Sequence, residues 1–131
     1  MNGKSFISMK PYLIRAIHEW IVDNDNTSYI TVDTTISAVK VPNQYIKNNN
    51  ITLDISSTAT QKLFINNEAV SFVARFSGII YEIYVPISAI VAIYSAENGQ
   101  GMNFPKEEIT SQFQTTKSNK IKLKVIPGGK V

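Results

Sequence analysis

The sequence predicts a mainly β domain of the α+β kind, a small barrel or sandwich preceded by one amphipathic helix. A single segment near the start has helical period, and a succession of short segments after it has period two, separated by Asn-rich turns. The size agrees: 131 residues, 44% of them hydrophobic, supply one core and are too few for two comfortable domains.

The helix is predicted over 11–24. Leu13, Ala16, Ile17, Trp20 and Ile21 recur at i, i+3, i+4, i+7 and i+8, which makes one apolar stripe. Pro11 suits the first helical turn, where its missing N–H is not needed. Asp23-Asn24-Asp25-Asn26 ends the helix, because short polar side chains compete for backbone hydrogen bonds. Tyr12, Ile14, Trp20 and Val22 put apolar area on more than one face, as expected of a helix that also meets a partner subunit.

Strands are predicted at 30–33, 39–41, 51–55 and 63–65, where apolar and polar residues alternate. Asn48-Asn49-Asn50 and Asn66-Asn67 supply turns, since Asn tolerates the left-handed conformation. Over 69–76, Val70, Phe72, Ala74 and Phe76 share one face, and Ser71, Val73 and Arg75 the other. Apolar area on both sides predicts a strand that is central or lines a groove. A further strand at 79–85, a short helical turn over 86–91 and a last strand at 92–96 lead to Glu97-Asn98-Gly99.

Beyond Phe104 the pattern stops. Residues 105–119 are rich in Lys, Glu, Ser, Thr and Gln and read as a flexible linker. Lys120-Ile121-Lys122-Leu123-Lys124-Val125-Ile126 then alternates again before Pro127-Gly128-Gly129. The plan is a domain at 10–104, a linker at 105–119 and a tail at 120–131. Alternation isolated by a polar linker fits a linear motif that adds to an acceptor's edge. It fits equally a further strand of the domain's own sheet, or a disordered end.

Composition excludes several chemistries. With no cysteine there is no disulfide and no thiolate nucleophile, which suits a reducing cytoplasm. The one histidine, His18, sits on the predicted helix with no nucleophile–base pattern around it. Carboxylates are scattered rather than at ligand spacing, so no metal or other cofactor is expected. Gly99-Gln100-Gly101 leads into Met102, Asn103 and Phe104 instead of a phosphate-cradling helix. An enzyme is not expected. The most hydrophobic stretch, 79–94, is interrupted by Glu82, Pro86 and Ser88, and the first nine residues lack the apolar region of a signal peptide. A membrane is therefore not an expected partner. The net charge of +3 is concentrated at the end, with Lys117, Lys120, Lys122, Lys124 and Lys130 in the last fifteen residues. That falls short of a dense basic stripe, so an Sm-like RNA-binding module, with Tyr29, Phe72, Tyr81 and Tyr84 as stacking residues, is the alternative reading.

The same segments resemble the stringent starvation protein B (SspB) family. Lys10-Pro11-Tyr12-Leu13-Ile14-Arg15-Ala16, continuing through Glu19-Trp20 and Asp23-Asn24, is similar to the family's opening helix. Ala74-Arg75-Phe76 with Gly78, then Val85-Pro86, Ala92-Ile93-Tyr94 and Glu97-Asn98-Gly99 with Gly101, are similar to its later strands in order and spacing. The resemblance implies an SH3-like or Sm-like open barrel and a homodimer through the first helix. It also implies a non-catalytic adaptor that binds the ssrA degradation tag and tethers tagged proteins to the ClpXP protease. By the same resemblance, Ala59, Val73, Ala74, Arg75 and Phe76 fall in the tag-binding groove. Ile121, Leu123, Lys124, Val125 and Ile126 fall in the peptide that docks on the N-terminal domain of ClpX.

Overall fold

Helix α1 (Lys10–Asp23) opens a computed structural model that describes residues 7–105; the predicted linker beyond Pro105 and the tail lie outside the described residues. Seven strands follow: β1 (Ser28–Asp33), β2 (Asn50–Asp54), β3 (Gln61–Ile65), β4 (Ala69–Phe76), β5 (Ile79–Pro86), β6 (Ile90–Ser95) and β7 (Gly101–Asn103). They form two open antiparallel sheets, β2-β1-β6-β7 and β3-β4-β5. The mainly β prediction with one N-terminal helix holds, and the arrangement is that of a small open barrel.

Period two builds the core. Ile30 and Val32 of β1, Ile51 and Leu53 of β2, Val70 and Phe72 of β4, and Ile83 and Val85 of β5 all point inward and are buried. Two consecutive left-handed residues make each tight hairpin turn: Asn48 (φ 53°) and Asn49 (φ 63°) before β2, and Ser77 (φ 54°) and Gly78 (φ 83°) between β4 and β5. Asn66 works differently from the expectation. Its side-chain oxygen accepts from the N–H groups of Glu68 (2.8 Å) and Ala69 (2.9 Å), so the β3–β4 turn is closed by a side chain and not by left-handed backbone.

The helix ends as its polar run predicts. Asp25 is left-handed (φ 59°), the N–H of Asn26 donates to Ile21 O, and that of Asp25 donates to Val22 O, which is the Schellman pattern. Its buried stripe, however, is Pro11, Ile14 and Ile21, with Ile17 and His18 half-buried. The expected stripe is therefore rotated: Ala16 and Trp20 are exposed, Trp20 at 47%. Ile14, expected at a subunit interface, lies wholly within the chain's own core and has no surface to offer a partner. Tyr12 (49% exposed), Trp20 and Val22 remain on the outside.

Two strand assignments also change. Residues 39–41 form no strand but a single bridge, in which Lys40 and Tyr84 exchange N–H···O bonds of 2.8 and 3.1 Å. β7 is an additional strand. A Cβ on Gly101 would stand 2.0 Å from Ile93 O, so only glycine lets this strand approach β6 so closely.

Candidate functional site

The loop after β2 is locked by its own short side chains. The Asp54 carboxylate accepts from the N–H of Ser56 (2.9 Å) and from its hydroxyl (2.6 Å). Ser56 O in turn accepts from the N–H groups of Ala59 and Thr60, each at 3.1 Å, and from the Thr60 hydroxyl at 2.9 Å. These bonds fold 56–60 into a compact turn instead of letting it extend β3. The register between β3 and β4 shifts between Gln61 and Phe64, where Lys62 is left-handed (φ 59°), and this bulge turns the start of β3 aside.

Between that turn and β4 runs a groove of about 460 Å³. It brings together four of the five predicted groove residues: Ala59 from the turn, and Val73, Ala74 and Arg75 from β4. β4 is the central strand of its sheet, as its two-faced pattern predicts. Phe76, the fifth, is set back from the groove. Its ring packs against Tyr45 (5.4 Å between centroids) and edge-on to Tyr81 (5.6 Å). The Tyr45 hydroxyl is bonded to the Ser77 hydroxyl, and Gln44 Nε2 donates to Tyr81 Oη at 3.0 Å, so this cluster braces the hairpin from behind.

The other lining side chains are Ser57, Thr58, Thr60, Gln61 and Ile80, none of which the sequence reading singled out. The Asp54–Ser56 and Ser56–Thr60 spacings were the available signal, since side chains two and four apart can close a turn on the backbone. Arg75 is the one charged residue among those lining the groove. Hydroxyls, an amide, small methyls, one Ile and one cation can hold an extended polar chain that carries a negative group; they offer no nucleophile with a base beside it. Val73 is shared with a wider trough of about 630 Å³ on the outer sheet face, bordered by Lys40, Lys62, Glu82 and Tyr84.

Among the described residues, the two groups whose pKa is displaced lie elsewhere. His18 Nδ1 is 3.0 Å from the buried Ser28 hydroxyl, between α1 and β1, and burial pushes its pKa below the ordinary histidine value. Glu97 accepts from the backbone N–H (2.8 Å) and the hydroxyl (2.7 Å) of Thr27, and these bonds hold its carboxyl below the usual range. Glu97-Asn98-Gly99 thus ties the β6–β7 turn to the chain leaving α1. Among the described residues no group of three or more His, Cys, Asp or Glu stands where it could hold a metal ion. None of the described helices is long and apolar enough to cross a membrane. Of the aromatics considered for base stacking, Phe72 is buried, Tyr29 packs on Tyr94 and Tyr81 on Phe76; Tyr84 alone is exposed.

A family described as stringent starvation protein B matches residues 8–125. The chain is also 46% identical over 104 residues to a protein of Haemophilus influenzae described as a stringent starvation protein B homolog, covering 79% of this chain and 69% of that one.

Proposed function

The chain belongs to the stringent starvation protein B family, and from that premise we propose that it is a non-catalytic proteolytic adaptor of the cytoplasm, which binds ssrA-tagged proteins and tethers them to the ClpXP protease. The observation that carries this reading is the groove. Ala59, Val73, Ala74 and Arg75 come from two separate parts of the chain, and they meet in a cleft suited to an extended peptide. Phe76 then supports the groove without lining it.

In this mechanism the domain holds the tag while 120–131 holds the N-terminal domain of ClpX. Capture by the unfoldase becomes intramolecular, and apparent affinity rises by roughly 10²–10⁴ with no new contact between substrate and pore. A Gly-rich coil of fifteen residues would span about 20 Å, a reach compatible with effective concentrations on the order of millimolar. Docked as an extended peptide, the tail would put Ile121, Leu123 and Val125 on one side, toward apolar pockets of ClpX, and Lys122 and Lys124 on the other, as the period-two alternation of its sequence requires. Ile126 ends the apolar run. No cofactor is needed. The exposed Tyr12, Trp20 and Val22 support a homodimer through α1, which supplies two tails per assembly. Sedimentation should then give about twice the 14.6 kDa chain mass.

Deleting 120–131 tests the tether. The truncated protein should bind an ssrA-tag peptide as before, yet lose the enhancement of ClpXP degradation of a tagged reporter well below the unaided KM. Near saturation the difference should shrink, because tethering raises local concentration rather than turnover. Full enhancement by the truncated protein at low substrate would mean that the tail is no tether.

A further inference from the structure

Phe64 of β3, Ser71 of β4 and Tyr84 of β5 stand side by side in one cross-strand row, and the bridge from Tyr84 adds Lys40 at its end. All four face outward, because the residues before and after each of them pack into the core. Phe64 is 61% exposed and Tyr84 38% exposed, so neither ring is spent on the domain's own packing. Neighbouring strands lie about 4.8 Å apart, and the two side chains therefore leave the sheet roughly 10 Å from one another, with only the small Ser71 between them. At that spacing each ring keeps a face open.

Charge frames the row. A trough of about 630 Å³ runs over Ser71 and Val73, bordered by Lys40, Lys62, Glu82 and Tyr84, and it shares only Val73 with the tag groove. Among the described residues neither Lys40 nor Lys62 makes a side-chain hydrogen bond or ion pair. Glu82 is exposed on the same face of β5 as Tyr84, two residues or about 7 Å along the strand. Two unpaired cations beside two open rings complement a polyanion whose repeating units carry planar groups. An acidic polypeptide would satisfy the lysines and leave the rings to water.

We propose that this face binds a short single strand of RNA, an activity separate from tag binding and independent of the adaptor reading. Phe64 and Tyr84 each take the face of one base, and Lys40 and Lys62 neutralise the phosphates beside them. The Ser71 hydroxyl, between the rings, meets a ribose 2′-hydroxyl. Glu82 reads the edge of the base on Tyr84. An ionised carboxylate only accepts hydrogen bonds, so it selects the exocyclic amino group of cytosine or adenine and rejects uracil, whose single N–H lies between two carbonyls. With two phosphate contacts the binding is led by stacking, in keeping with a net charge of only +3.

Anisotropy of labelled oligocytidylate and oligouridylate on the full chain tests this. Oligocytidylate should bind about tenfold more tightly, and Glu82→Gln should remove that preference. Phe64→Ala and Tyr84→Ala should each weaken oligocytidylate binding by about tenfold with the urea midpoint unchanged, since both side chains are exposed. Log affinity should fall against log salt with a slope near −1.4, about −0.7 for each phosphate, and Lys40→Gln should halve it. Polyglutamate should bind at least about tenfold more weakly than the oligomer. Failure of oligocytidylate to bind overturns the proposal. So does parental affinity in both aromatic variants, which would assign the RNA to the lysines of 117–130. Equal binding of polyglutamate would leave charge alone as the attraction, and displacement by free cytidine monophosphate at the oligomer's own concentration would make the trough a mononucleotide pocket; either result overturns it.

Discussion

The two sheets share one core but finish their ends differently. In β2-β1-β6-β7 the ends are tied down. Glu97 accepts two bonds from Thr27, Asn26 Nδ2 donates to the buried Ser95 hydroxyl at 2.8 Å, and Asp33 accepts from the N–H (3.0 Å) and hydroxyl (2.6 Å) of Thr35. Helix α1 lies over this sheet, and His18 is bonded to its first strand. In β3-β4-β5 the outer face is open, with Phe64 61% exposed and Ile80 58% exposed, and among the described residues no strand pairs with the end of β4 on the groove side. Polar side chains close turns of the second sheet as well, at Asn66 and over 56–60, so the contrast lies in the uncovered outer face and in the groove end of β4.

The largest test of that contrast is a pair of truncations. Ile30→Ala removes a fully buried side chain of β1 and should lower unfolding stability by about 2–5 kcal/mol in a urea titration. Ile80→Ala, on the exposed face of β5, should stay within about 0.5 kcal/mol of the parent while weakening peptide binding. A stability loss at Ile80 as large as that at Ile30 would break the distinction between the sheets.

A smaller effect is expected from pH. The folded-state pKa of His18 is lowered, so its contribution is complete above the unfolded value of 6.5 and is lost as pH falls from 6.5 toward the folded value. Chemical denaturation between pH 7.5 and 5.5 should show stability declining with acid, and His18→Gln should flatten that slope. Glu97 acts lower. Its folded pKa is depressed below 4.5, so the stability it supplies is present above 4.5 and is lost as pH falls through the depressed value. His18 on the covering helix and Glu97 in the β6–β7 turn both sit at the tied sheet and away from the groove, so peptide affinity should change little between pH 7.5 and 6. A steep loss of affinity there, tracking His18, would join the two regions that the contrast separates.

Much of this was legible in the sequence, and the exceptions have physical causes. The strands at β2, β4 and β5 were readable because apolar alternation reports burial directly. β7 was not, because its three residues are all exposed and its pairing depends on backbone and on the missing Cβ of Gly101. The bridge at Lys40 looked like a strand because Val39 and Val41 both pack against the core. On α1, Leu13, Ala16 and Trp20 satisfy a helical period as well as Pro11, Ile14 and Ile21 do, and the burial of one face over the other is settled by what β1 and β6 present to it. Four groove residues were named through resemblance. The Ser and Thr wall opposite them was missed, since a turn held by side-chain bonds has no period. Arg75 shows the limit most clearly: its residue type was visible, but its place beyond the last β3–β4 pair, Gln61 with Val73, follows from where β3 begins.

Fluorescence anisotropy of a labelled ssrA-tag peptide against the parent protein and Ala74→Gln tests the central claim most directly. Ala74 lines the groove on a strand held by β5, so a longer side chain there occupies the space of the bound peptide and can relax toward solvent without unfolding the domain. The account predicts an affinity loss of roughly tenfold or more, with an unchanged urea midpoint. Equal affinity for the two proteins would contradict it and put the tag site elsewhere on the molecule.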